Sequence, residues 1–248
     1  MMIRNILLIS SILLVCFTGK ALGQNKNQPS DFRKEVVALL FDYKLEDALA
    51  FSDKSNADAV EVAAAKSTAY SLMGNRDENQ KYIDQGMKLV EPYKSMTDDY
   101  NIQVAMAISY AVQANLSGLK KKAELSQISI RHAKRAVGLN PELAHANFIL
   151  GRYYFELSGM SSATAKIAKN FIDPQDLKNA SYKLALSYLE KASKVAPDRF
   201  LYLYYTGAAH EKAGNKEKAM SFYREADRKK RYTADDKQAS KELAKHLK

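Results

Sequence analysis

Val36, Leu39, Leu40 and Tyr43 fall at i, i+3, i+4 and i+7, the stripe of an amphipathic helix. The pattern turns near Tyr43 and Lys44 and resumes around Ala48, so the segment DFRKEVVALLFDYKLEDALAFSDKS predicts a helical pair. Similar pairs follow along the chain, and ten Gly and five Pro offer few turns for a sandwich or barrel. About ten antiparallel helices are expected.

The pairs share a spacing. In LYLYYTGAAHEKAGNKEKAMSFYREADRKK, Gly207 lies in a first helix and Gly214 in the turn, while Ala219, Tyr223 and Ala226 mark one face of a second helix. Small residues where two helices cross are the signature of the tetratricopeptide hairpin. AYSLMGNRDENQKYIDQGMKLVEP repeats it, with Gly74, Ile83 and Gly86 spaced as Gly214, Tyr223 and Ala226 are. ISIRHAKRAVGLNPELA carries the closing positions Ala133, Ala136 and Pro141, and the next copy carries Ala185, Leu189, Ala192 and Pro197. Proline at these sites is expected to open the next helix, where a missing amide proton does no harm. The fold class expected is all-α, a tetratricopeptide-like superhelix.

One copy is interrupted. HANFILGRYYFELSG supplies a first helix with Leu150, Gly151 and Tyr154, yet Gly151 to Ala185 takes 34 positions against 12 from Gly207 to Ala219. Within the surplus of 22, Ile167, Ala168, Phe171 and Ile172 form a narrow apolar stripe beside Lys166 and Lys169. An inserted amphipathic helix over about residues 160–178 is therefore expected, packing on its own repeats or meeting a partner or membrane surface.

The stretches HANFILGRYYFELSGMSSATAKIAKNFI, ASYKLALSYLEKASKVAPDRFLYLYYTGAAHEKAGNKEKAMSFYREA and YTADDKQASKELAKHL resemble the regulator of microtubule dynamics family. The likeness is close over about the last 120 residues and extends to the earlier helices in layout. It implies a tetratricopeptide-like domain, and it brings no catalytic motif.

Composition narrows the compartment. Residues 1–23 combine Arg4, an apolar run from Ile6 to Phe17 and the small residues Ala21 and Gly23, the pattern of a cleaved secretory signal. The run is shorter than the about 20 residues that span a bilayer, so no transmembrane segment is expected in the mature chain. Residues 24–248 would then form the repeat domain, exported to a bacterial periplasm or outer envelope. Cys16, the only cysteine, falls inside the signal. A lipidated Cys16 would need a small residue in place of Val15.

The formal charge is +10, from 38 basic and 28 acidic side chains, with Arg4 and Lys20 in the leader. The surplus gathers at Lys120, Lys121, Lys122, Arg131, Lys134 and Arg135, and in the RKKR run of residues 228–231. Weak contact with anionic lipid is compatible with these runs. Export and the lack of a nucleic-acid module argue against DNA or RNA.

Catalytic and metal signatures are missing from the sequence. His132, His145, His210 and His246 have no metal-ligand spacing, and there is no GxSxG, phosphate loop or HExxH. Asp98 with Asp99 and Asp235 with Asp236 suit helix capping. No enzyme activity and no cofactor are expected. Binding suits stacked hairpins better, because first helices line a concave face. On the interrupted copy His145, Phe148, Arg152, Phe155 and Glu156 share one face, and Tyr204 and Glu211 hold equivalent places in the last copy. Aromatics, an arginine and carboxylates in this pattern suit an extended peptide or protein partner, making the chain an adaptor or scaffold. Lipid or small-ligand binding in the same groove, with basic clusters for anionic headgroups, is the alternative.

Overall fold

The computed structural model describes residues 30–162, 166 and 170–247. The expected signal segment, and with it Cys16, lies outside the described residues, as do Ile167, Ala168 and Lys169 of the expected inserted stripe. Among the described residues the protein is all-helical. The order is α1 Asp31–Phe41, α2 Leu45–Asp53, α3 Ala59–Asp77, α4 Gln80–Val90, α5 Tyr100–Asn115, α6 Leu119–Leu139 and α7 Ala144–Ser158. There follow α8 Pro174–Asn179, α9 Tyr182–Val195, α10 Phe200–Lys212, α11 Lys216–Asp227 and α12 Ala234–His246. None is long and apolar enough to cross a membrane.

The starts of these helices are written in the sequence. Ser30, Asp58, Asn79, Asp99, Asp173 and Ser181 each accept a backbone N–H of the following turn. Thr233 and Asp236 form a reciprocal capping box at the start of α12. Pro141 and Pro197 depart from expectation. They sit in the turns before α7 and α10, whose N-caps are Leu143 and Arg199. The Pro141 turn is fastened by Asn140, whose Oδ1 accepts the Glu142 amide, and by Asn147, whose Nδ2 donates to the Pro141 carbonyl.

Consecutive helices pack as hairpins, α3 with α4, α5 with α6, α7 with α9, and α10 with α11. The first helices α3, α5, α7 and α10 also stack in succession, which is the tetratricopeptide-like arrangement. The crossings are tight because one side lacks a side chain. A Cβ on Gly207 would lie 2.8 Å from Tyr223 Cδ1, and one on Gly151 would lie 2.6 Å from Leu189 Cγ. The same contact recurs at Gly74 against Ile83 Cγ1 at 2.6 Å, and at Gly86 against the Ser67 carbonyl at 2.8 Å. Ala185, Ala192, Ala219 and Ala226 are buried beside these crossings. Gly214 adopts φ +86°, the left-handed residue that ends α10.

The insertion is fastened by one carboxylate. Asp176 of α8 is buried and accepts from Lys134 Nζ at 2.6 and 2.7 Å, Tyr153 Oη at 3.0 Å and Tyr154 Oη at 2.9 Å. Helices α6 and α7 thus hold the far end of the inserted segment. At its near side Met160 and Ile172 pack on the α7–α9 core, while Phe171 is exposed.

The array then closes on itself. Tyr43, at the α1–α2 turn, stacks on Tyr232 just before α12 with ring centroids 4.5 Å apart. The Arg199 guanidinium lies over the Tyr43 ring at 4.2 Å. Phe41 stacks on His145 at 5.0 Å. The first hairpin therefore touches the last, and the inner face of the superhelix is enclosed.

Gly207→Ala or Gly86→Ala is expected to lower stability by about 1–3 kcal/mol, the usual cost of overpacking a filled site. Gly138→Ala in α6 meets nothing within 4 Å and should raise stability by up to ~1 kcal/mol, because alanine loses less backbone freedom. Thermal melts of the three variants check this ordering.

Candidate functional site

Enclosure of the inner face leaves a cavity of about 610 Å³, partly open to solvent. Its wall comes from α3 (Leu72, Asn75), α5 (Ile108, Val112, Asn115), α6 (Gln127, Ile130), α7 (His145 to Leu157 on one face) and α10 (Leu201, Tyr202), with Tyr43, Arg199, Thr233 and Asp235 closing it. Most of the lining is apolar, with a few polar groups spread among it, the usual character of a ligand cleft. A second cavity of about 270 Å³ lies between α1, α3 and α5, and His145 lines both.

The seven residues expected on a concave face divide. His145, Phe148, Arg152 and Glu156 line the large cavity. Phe155 instead packs on Tyr205 and Tyr182, and Tyr204 on Phe200, Tyr205 and Tyr223. Glu211 accepts the Tyr223 hydroxyl at 2.9 Å and faces His246 Nδ1 at 3.2 Å. For Glu211 the physical reason is α12, which packs on α10 and α11, and for Phe155 it is the rings of α9 and α10.

Arg152 is fixed within that face. Its Nη1 donates to Asp235 Oδ2 at 2.9 Å, and its guanidinium lies 5.1 Å from the Tyr205 ring centre. Phe148 stacks on Tyr202 at 4.3 Å. His145 is wedged between Phe41 and the edge of Tyr202. Burial, reinforced by the nearby charge of Arg199, pushes its pKa down to about 3, so the ring is neutral near pH 7. His132 behaves likewise outside the cavity. Burial first, then Arg135 and Arg131, take it down to about 4, and its Nδ1–H donates to Gln103 Oε1 at 2.8 Å.

Several wall residues were invisible in the sequence. Arg199 sits in a Pro-Asp-Arg turn that reads as solvated, yet it is 7% exposed. Tyr43 belongs to the stripe of α1, but nothing local shows that it meets residues almost 200 positions away. Asp235 and Asp236 read as caps. Asp236 is one, and Asp235 is also the partner of Arg152. The basic runs are partly spent on the fold. Lys229 pairs with Asp198 at 2.8 Å and Arg231 with Asp227 at 2.9 Å, whereas Lys120, Lys121 and Lys122 are exposed. Among the described residues no cluster of His, Cys, Asp or Glu could hold a metal ion.

The two depressed histidines set a pH dependence. Unfolding releases each ring to its ordinary value of 6.5. Below pH 6.5 the unfolded chain therefore takes up protons that the folded chain refuses. Stability is full above that pH and falls toward pH 4, by up to ~1.4 kcal/mol per pH unit for each group. Melts between pH 7.5 and 4.5 should show this loss, and His145→Phe should reduce its steepness.

Solved structures of MamA resemble the protein at 15% identity over 79% of this chain and 94% of that one, with a TM-score of 0.35 for a mutant. A further MamA structure gives 16% identity over 88% and 99%, with a TM-score of 0.34. No curated protein matches the sequence. Residues 26–248 match the family described as regulator of microtubule dynamics protein 1-3, all four cavity-lining candidates and the insertion included. The chain belongs to the regulator of microtubule dynamics protein 1-3 family.

Proposed function

We propose that this protein is an exported, non-catalytic scaffold of the cell envelope that seats a segment of a protein partner inside its superhelix. The cavity of about 610 Å³ along the first helices carries this reading. Its wall mixes aliphatic side chains with the amides of Asn75, Asn115 and Gln127, and such amides suit a peptide backbone, which offers a donor and an acceptor at every residue. Export rests on the apolar N-terminal run, and a scaffold role on helices that stack into an inner binding face.

Binding to an anionic membrane has less support. The basic run of residues 228–231 spends Lys229 and Arg231 on internal ion pairs, and Arg231 also lies over the Phe200 ring. A peptide inside the groove needs no such surface.

A photo-crosslinking residue at Glu156, inside the cavity, is expected to capture a discrete protein in intact envelopes, and one at Glu211 is not. Ala111→Phe fills the cavity from its wall and should abolish that capture without lowering helix content. Capture that survives the filling substitution would contradict the reading. Native mass spectrometry adds a second readout, since a retained lipid in the mature protein would favour the small-ligand alternative.

A further inference from the structure

The two ends of the array meet through a few side chains that cross over. Phe41 of α1 packs against the core built by α7 and by α9 to α12, and Tyr232, just before α12, packs against the core built by α1 to α5. Each end thus lends one ring to the other. Between them Tyr43 stacks on Tyr232 and lies beneath the Arg199 guanidinium. Among the described residues no ion pair and no backbone–backbone hydrogen bond joins α1 or α2 to the segment from Arg199 onward. Neighbouring hairpins, by contrast, pack along whole helix faces and share continuous cores.

The centre of this contact is strained. Tyr43 is held at φ +57°, a left-handed conformation that a bulky side chain keeps only where its surroundings over-determine it. Such strain gathers at switch regions. Here part of those surroundings is the contact itself, since the rings and guanidinium around Tyr43 come from the far end of the chain. Separating the ends lets the turn relax, so the strain works against closure and lowers the cost of opening.

The contact is also a wall of the large cavity. Tyr43, Arg199 and Thr233 line it, and they close the gap between the first hairpin and the last. Parting them opens the cavity along its side, while the glycine crossings inside each hairpin are untouched. A protein segment with folded structure on both sides cannot thread through a narrow mouth. It can enter sideways, through a seam.

We propose that Tyr43, Arg199 and Tyr232 form a releasable clasp, and that the array opens along this seam with its hairpins intact to admit a segment into the cavity. The closed form is the resting state, and opening is a sub-global event that precedes unfolding. That the admitted molecule is a protein segment rests on the scaffold reading; the clasp itself can be tested without any partner.

Thiol labelling of the purified full chain carrying Cys16→Ser tests it, with fluorescein maleimide as the probe. One cysteine is placed at Val112, which lines the large cavity and is 5% exposed. A control cysteine replaces Ser193, equally buried on α9 but outside the cavity lining. Tyr232→Ala is expected to speed labelling of Val112→Cys by about tenfold and to leave Ser193→Cys unchanged. With the clasp intact, labelling of Val112→Cys should be nearly independent of urea at low concentration, because parting the seam exposes little surface. Should Tyr232→Ala fail to fold, Tyr232→Leu keeps apolar bulk without the stack and should speed Val112→Cys several-fold. An unchanged rate at Val112→Cys would overturn the clasp. Equal acceleration of both thiols, or a rate that climbs steeply from the first additions of urea, would also overturn it, because access would then come from general unfolding. None of these outcomes bears on the scaffold reading, which the crosslinking experiment decides separately.

Discussion

The enclosed architecture depends on the contact between Tyr43, Arg199 and Tyr232. Stacked hairpins alone make an open spiral, because each repeat touches only its neighbours. Here the turn of the first hairpin reaches the entry of the last one and the entry of α12. Tyr43 adopts φ +57° to do so. The equivalent turn after α10 uses Gly214 at φ +86°, where the left-handed region costs nothing. In a bulky aromatic residue that conformation is strained by roughly 1–2 kcal/mol. The rings and guanidinium packed around Tyr43 hold it there, and Tyr232 Oη also reaches the Asp42 carbonyl at 3.5 Å.

Closure has a chemical consequence. It buries an arginine without giving it an acid, and it places a neutral histidine beside that arginine. Both face a space that the apolar first helices do not fill. The insertion belongs to the same arrangement, since Met160, Phe171 and Ile172 line that space and Asp176 pins the far end of the segment to α6 and α7. The described part of the insertion thus contributes to the cavity wall.

Local structure was legible wherever one residue's neighbours in sequence are also its neighbours in space. The Gly, Ala and Tyr offsets identified the hairpins because the glycine must face the large residue of the same hairpin, as Gly207 faces Tyr223. Caps at Asp99 and Asp236 were legible for the same reason. The candidate face was legible for His145, Phe148, Arg152 and Glu156, which sit on one open helix. Tyr204 and Glu211 lie outside the cavity lining, because repeat equivalence takes no account of α12 packing on the last repeat. Arg199 and Tyr43 gave no signal, since their meeting depends on the curvature accumulated over four hairpins.

The most direct measurement is the distance between the two ends of the array. Spin labels at Lys44→Cys and Lys230→Cys, with Cys16→Ser, place one probe on the α1–α2 turn and the other beside Tyr232, both at exposed positions. Double electron–electron resonance should return a single narrow distribution at the short end of its range, the signature of a closed array. A broad or long distribution, as an open spiral would give, would contradict the account.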